Sequence, residues 1–289
     1  MNTNFKVFLY CAIGFLFGAI NNVLYKFLHR LPSSEIVTFR YFFATLITVS
    51  MVRRTTTLYH TRNIFLHFFR GLIVLGTIFS YVIGFRTTYL STGTLICAVI
   101  PFWAMFFSKI ILKEEIKKYR LIILSLILIV VIYSTEISEI NFNSGSIILL
   151  LGTVCSGLYD ALNKKCTNMD KPITALLYLN IFAFLISLII AIKSMILPTF
   201  EEVFLLFLLG LGSNILTIFL LKALENSDAS FISPFRYLEF VYSVILGKII
   251  FNENASYKIY VASLLIVILQ IILVKLEKSD ESNVNVTNV

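Results

Sequence analysis

The stretch ASFISPFRYLEFVYSVILGKIIFNE, Ala229–Glu253, governs how the rest of the chain is read, because an earlier stretch answers it. Sliding the sequence along itself by 139 residues lays Leu90–Glu114 over it. Lys109-Ile110-Ile111 then falls on Lys248-Ile249-Ile250, Ser91 on Ser230 and Glu114 on Glu253. In the later copy, the run Ser233-Pro234-Phe235-Arg236-Tyr237-Leu238-Glu239 sets an arginine and a carboxylate inside an apolar segment.

The same offset extends along the chain. Gly18 meets Gly157, Lys26 meets Lys165, and Gly71-Leu72 meets Gly210-Leu211. Apolar residues match by chance more easily than others, so the glycines, lysines and glutamates carry the comparison.

Composition places these repeats in a membrane. Soluble domains average roughly half apolar and a quarter charged residues. This chain is 58% hydrophobic and 14% charged, with 27 phenylalanines and a mean hydropathy of +0.89. Ten apolar segments approach the roughly 20 residues that a membrane helix needs: 5–25, 35–52, 65–85, 89–112, 120–135, 145–163, 173–192, 203–221, 229–251 and 257–275. The fold class expected is all-α, a polytopic protein of ten transmembrane helices arranged as two five-helix repeats, 1–140 and 141–276. The polar residues 277–289 are expected to be a disordered cytoplasmic tail.

The net charge of +8 forms no basic stripe of the kind that binds nucleic acid. The lysines and arginines cluster between apolar segments instead, mostly on the side of the amino terminus, which places both termini in the cytoplasm. Five spans per repeat is an odd number, so the second repeat must be inverted relative to the first. The charges agree, since the basic loop Lys113–Arg120 has a twin, 252–259, that carries only Lys258. Inverted repeats of this kind are a common architecture of secondary transporters.

A charge near the bilayer centre costs at least about 2.5–3.5 kcal/mol, so it faces protein or a water-filled cavity. Arg236 and Glu239 share one helical face. Two readings are open: they neutralise one another as a structural pair, or they line a substrate site. Asp160 either pairs with Lys164 one turn on or lines the pathway. Arg40 either snorkels outward or receives a substrate carboxylate. Trp103, the single tryptophan, together with Tyr81, Tyr159 and Tyr237 is suited to stacking a planar ring or holding a cation, and equally to plain packing. Pro101 and Pro234 each remove a backbone hydrogen bond, and are candidate hinges. The four cysteines and three histidines show no metal-ligand spacing, so no metal or other cofactor is expected.

With these residues in view, the chain resembles the EamA-type members of the drug/metabolite transporter superfamily. The resemblance rests on the Lys-Ile-Ile runs closing on Glu114 and Glu253 and on Phe39-Arg40-Tyr41, and spans about residues 8–275. It departs from the family pattern where Glu239 is followed by Phe240 rather than proline. The Ser233–Glu239 run narrows the resemblance, and implies uptake or exchange of a sulfonium cation that bears an amino-acid group and an adenosine. It implies further that Glu239 attracts the sulfonium or ammonium, Arg236 the carboxylate, and Trp103 or Tyr237 the adenine, in a bacterial inner membrane.

Export of amino acids, drugs or other metabolites fits the same architecture. An intramembrane enzyme does not, because Asp160 is the single aspartate in any span and no histidine lies near a span's centre. No G-x-x-x-x-G-K-[ST] loop is present, which excludes ATP hydrolysis by this chain. The partners expected are a small-molecule substrate and the lipid bilayer; the sequence carries no sign of oligomeric state.

Overall fold

A computed structural model of the chain describes residues 3–52, 60–87, 96–134, 143–252 and 256–287. Leu90, Ser91 and Glu253, all used in reading the repeat, lie outside them. The elements are α1 (Thr3–Phe27), α2 (Ser33–Val52), α3 (Ile64–Thr87), α4 (Ile100–Phe107), α5 (Lys118–Ser134), α6 (Ser144–Thr167), α7 (Pro172–Ala191), α8 (Phe200–Asn226), α9 (Tyr237–Phe251) and α10 (Tyr257–Thr287). No strand occurs among the described residues.

Seven of these helices, α1, α2, α3, α6, α7, α8 and α10, are long and apolar enough to cross a membrane. Their outer faces carry bare hydrophobic side chains such as Leu151, Ile189 and Phe200, as lipid-facing surfaces must. Of the ten like spans expected, seven are of this kind; α5 has 17 residues, and α4 and α9 are shortened by breaks on their amino-terminal sides. Before α4 the chain turns at Ala98-Val99. Before α9 stand one turn of α-helix, Ala229–Ile232, and a 3₁₀ turn, Ser233–Arg236.

Local chemistry sets the other ends. Asn143 with Ser146 and Thr199 with Glu202 form capping boxes that open α6 and α8, each satisfying amide groups that a helix start leaves free. The π-turn after α4 and the helix α9 both stop at a residue in the left-handed conformation, Lys113 (φ 57°) and Asn252 (φ 52°). Among the described residues these are the non-glycine positions with positive φ, and they stand 139 residues apart.

The two halves do not pack as separate bundles. The most extensive helix pairings all cross between them: α3 with α6, α1 with α8, α2 with α7 and α8, α3 with α7, α4 with α6, α1 with α9, and α5 with α10. Replacing each helix by its counterpart 139 residues away turns every one of these pairings into another of the set or into itself. Close contacts obey the same exchange. A Cβ on Gly71 would meet Phe182 and Ala183, and one on Gly210 would meet Phe43 and Ala44, each set being the other shifted by 139.

Polar contacts tie both ends. At one, Arg30 pairs with Glu202 and donates to the Leu197 carbonyl at 3.1 Å, while Glu35 accepts from the Ile196 amide at 3.0 Å. At the other, Glu114 accepts from the amides of Ala229 and Ser230, both at 3.0 Å. There too, buried Arg120 binds Asp228 at 3.1 Å and Glu277 at 2.6 Å. The last contact falls on Glu277, the first residue of the polar end. Three side chains, Lys117, Tyr119 and Arg120, donate to the Glu277 carboxylate, and α10 continues as a helix to Thr287.

Gly210 tests the close approach of α8 to α2. A Cβ there would lie 2.9 Å from the Arg40 carbonyl oxygen and 3.0 Å from the Ala44 amide, both backbone atoms, whereas one on Gly76 would meet only Cys155 Sγ at 3.6 Å. Overpacking costs typically about 1–3 kcal/mol. Gly210→Ala should lower the melting temperature of the purified protein by several degrees, and Gly76→Ala should leave it near wild type; equal melting of the two variants would refute the close approach.

Candidate functional site

The site is built on one face of α1. Phe15, Gly18, Asn22 and Tyr25 follow a 3-4-3 spacing, which lines them up along the helix. Facing them in order are three ions. The Arg236 guanidinium lies over the Phe15 ring, 5.6 Å from its centroid. The Glu239 carboxyl rests on Gly18, where a Cβ would come within 3.2 Å of it, and accepts a hydrogen bond of 2.7 Å from Asn22 Nδ2. Arg40, from α2, donates through Nη1 to the Tyr25 hydroxyl. At 1.5 Å rise per residue this row covers about 15 Å, half the hydrocarbon thickness.

The breaks bring Arg236 and Glu239 to this face. Pro234 falls in the first turn of the 3₁₀ segment, where its missing amide hydrogen costs least. The Ser230 carbonyl that it frees accepts from Ser233 Oγ at 3.3 Å, and its own carbonyl accepts from buried Gln270 Nε2 at 3.1 Å. Pro101 likewise stands in the first turn of α4, so it begins a helix instead of bending one. The Tyr237 hydroxyl donates to the Ala98 carbonyl at 2.6 Å, tying one break to the other at positions 139 residues apart.

Both local pairings considered from the sequence give way to longer-range ones. Arg236 binds Asp160 on α6 rather than Glu239 on its own chain segment. Lys164 donates to the Leu224 carbonyl at 2.7 Å and leaves Asp160 to Arg236. Glu239 lies in electrostatic range of Arg236, Asp160 and Arg40, and Tyr81 in range of Arg236 and Glu239. Trp103 packs its Cβ tightly on Gly157 and meets Phe106 edge-on at 6.0 Å, with its indole Nε1 buried and unpartnered. Tyr237 is buried with its hydroxyl occupied.

A cavity of about 20 Å³, lined by Phe15, Ala104, Asp160, Ser233 and Arg236 among others, has room for about one water. The space beside Asp160 and Arg236 is therefore small, while Asn22 is exposed and Glu239 half-buried. Asn22, Gly18 and Tyr25 were not among the residues expected at the site. Their signal was the polar and small stripe along an otherwise apolar first span.

One trio could hold a metal by proximity: His67, Cys166 and Asp170 bring their ligand atoms within 4.8 Å of one another. Arg70 argues against it. Its Nη1 lies 2.9 Å from His67 Nδ1 and 3.3 Å from Cys166 Sγ, placing a fixed cation among the donors. Since arginine can only donate, His67 accepts at Nδ1 and keeps its proton on Nε2, 2.9 Å from Asp170. Burial raises the Asp170 carboxyl, but hydrogen bonds from Thr61, His67 and the Arg62 amide outweigh it and hold the group below the usual carboxylate range. The cluster is a neutral-imidazole tie among α3, α6 and the start of α7.

The sequence matches the EamA-like transporter family over residues 4–135 and 143–274. It is 30% identical over 264 residues, 88% of each chain, to the S-adenosylmethionine uptake transporter of Rickettsia prowazekii (strain Madrid E). The protein of the same description from Rickettsia conorii is likewise 30% identical over 88% of each chain. A more distant relative is the pseudopaline exporter CntI of Pseudomonas aeruginosa, 22% identical over 94% of this chain and 96% of that one. A solved crystal structure, 14% identical and covering 93% of both chains, superposes with a TM-score of 0.72, which speaks to the fold alone.

The Asp160–Arg236 pair can be tested by stranding either partner. Asp160→Asn and Arg236→Gln should each lower the melting temperature of the ligand-free protein, since breaking a buried pair costs about 3–5 kcal/mol. The double variant Asp160→Asn with Arg236→Gln should lose less than the sum of the two single losses. Strictly additive effects in that cycle would show that the two side chains do not interact.

Proposed function

The chain belongs to the EamA-like transporter family, and on that premise we propose that it carries S-adenosylmethionine across a bacterial inner membrane by alternating access. The observation that carries the reading is Glu239. Its carboxylate lies among the helices with a neutral partner, Asn22, and among the described residues it joins no ion pair. A carboxylate left so at membrane depth is costly unless a cation completes it, and the cargo's sulfonium or ammonium is such a cation. The name of the Rickettsia relatives supports the choice of cargo.

The remaining groups divide the work. Trp103, with a free indole N–H, and Tyr81, close to both ions, form the aromatic side against which an adenine can lie. Asp160 holds Arg236 at the end of the row. Pro101 and Pro234 mark the breaks at which α4 and α9 can swing, and the Tyr237–Ala98 hydrogen bond couples the two. No nucleotide-hydrolysing loop is present in the sequence, so a gradient or exchange drives the cycle.

The inverted repeat belongs to the same reading. Its support is the exchange of helix pairings and of the Gly71 and Gly210 contacts under the 139-residue shift. A two-fold exchange of five-span units requires opposite orientations, and with the charge bias of the loops it puts both termini in the cytoplasm.

Two measurements decide the reading. Proteoliposomes should take up S-adenosylmethionine saturably and discriminate by at least about 10-fold against S-adenosylhomocysteine, which lacks the sulfonium charge. Glu239→Gln should weaken S-adenosylmethionine uptake by at least about 10-fold at normal expression, as expected for loss of a desolvated ion pair. Equal transport of the two solutes, or an unchanged Glu239→Gln, would overturn the cargo. For the topology, Glu115→Cys and Tyr257→Cys should be labelled by an impermeant maleimide from opposite faces, and labelling from one face would end the inverted arrangement.

A further inference from the structure

We propose that Arg40, rather than Arg236, anchors the carboxylate of a zwitterionic amino-acid solute, with Glu239 one helical turn along α1 holding its positive end. This deepens the transport reading above and rests on it. It stands on how differently the arginines are partnered. Arg70 and Arg120, both buried, place every guanidinium nitrogen in a hydrogen bond: Arg70 with Asn163, His67 and the Ala175 carbonyl, and Arg120 with Glu277, Asp228 and Ser230. Arg236 is already matched by Asp160.

Arg40 has neither kind of provision. It is 6% exposed, and its Nε is buried with no hydrogen-bond partner. What it touches is neutral: the Tyr25 hydroxyl through Nη1 and the ring of Tyr41, 5.4 Å from the guanidinium. Among the described residues no carboxylate pairs with it. A buried guanidinium with neither an anion nor a full set of hydrogen bonds is a destabilising arrangement unless a ligand completes it.

The placement suits one class of ligand. Tyr25 and Asn22 are three residues apart on α1, about 4.5 Å along the helix, so Arg40 and Glu239 are presented by adjacent turns with opposite charge and incomplete pairing. A solute whose ammonium and carboxylate are joined through one carbon fits that separation, and its carboxylate would take the planar fork of Arg40 with two hydrogen bonds. Tyr25, Tyr41 and Tyr159 pack around that end and keep it dry, which strengthens the attraction.

Binding and stability together test this. In purified protein, affinities are measured for three matched pairs: S-adenosylmethionine and its decarboxylated form, methionine and 3-methylthiopropylamine, lysine and cadaverine. Wild type should prefer the carboxylated member of any pair it binds by roughly 30-fold or more. That preference should collapse in Arg40→Gln, persist in Arg236→Gln and survive partly in Arg40→Lys. The ligand-free Arg40→Gln protein should melt at or above the wild-type temperature, because it sheds an uncompensated charge.

An Arg40→Gln variant that melts well below wild type, or that weakens both members of a pair equally, overturns the proposal, as does a preference that disappears in Arg236→Gln instead. If lysine or methionine shows the Arg40-dependent preference and S-adenosylmethionine does not bind, the cargo reading fails while the anchor stands. Wild type preferring no carboxylated solute sinks the anchor whatever the cargo.

Discussion

An ion inside a bilayer must find a partner, a hydrogen-bond shell or a ligand, and the structure is arranged around that demand. Arg40, Asp160, Arg236 and Glu239 occupy one electrostatic neighbourhood along α1. Two of them, Asp160 and Arg236, satisfy one another across α6 and the 3₁₀ turn. The other two rest on neutral partners, Asn22 and Tyr25, supplied by one face of one helix. Formal charge balances over the four, yet the balance is not local, and the uneven pairing is what distinguishes a site from a set of structural salt bridges.

That face is available because the backbone is broken opposite it. Arg236 and Glu239 stand three residues apart at the start of α9, yet one turns to Asp160 and the other to Asn22. The equivalent turn at Ala98-Val99 supplies the carbonyl that Tyr237 grips. Both breaks are held by side chains, Ser233, Gln270 and Tyr237, in place of the backbone bonds that continuous helices would make. Side-chain ties of this kind can be exchanged without unfolding a helix, while Glu114 separately ties the start of the second broken segment at Ala229 and Ser230.

The interlocking of the halves explains why small residues recur at the same offset. Gly18 and Gly157 admit the helices of the opposite half, Gly18 at Glu239 and Gly157 at Trp103. Gly71 and Gly210 do the same for α7 and α2. Without a hydrophobic drive between helices in lipid, close packing at such positions holds the assembly together. The fold is one body made of two copies, with the candidate site on the faces where they meet.

Much of this was legible in the residues themselves. Hydropathy along the chain established a helical membrane protein, since only helices of such length satisfy their own backbone in lipid. The 139-residue shift established the repeat, and the isolated polar residues Arg40, Asp160, Arg236 and Glu239 marked the site because each is costly where it stands. What the sequence could not decide was who pairs with whom. Along a helix it displays only neighbours three and four residues away, which favoured Arg236 with Glu239 and Asp160 with Lys164. The actual partners lie on other helices, 76 residues apart for Arg236 and Asp160 and 217 for Asn22 and Glu239. Nor could it reveal that Glu277 docks on Arg120 and draws the polar end into a helix. Local spacing is written in the chain, but the choice among distant partners belongs to packing, where burial makes each unmatched charge expensive and so settles which contacts form.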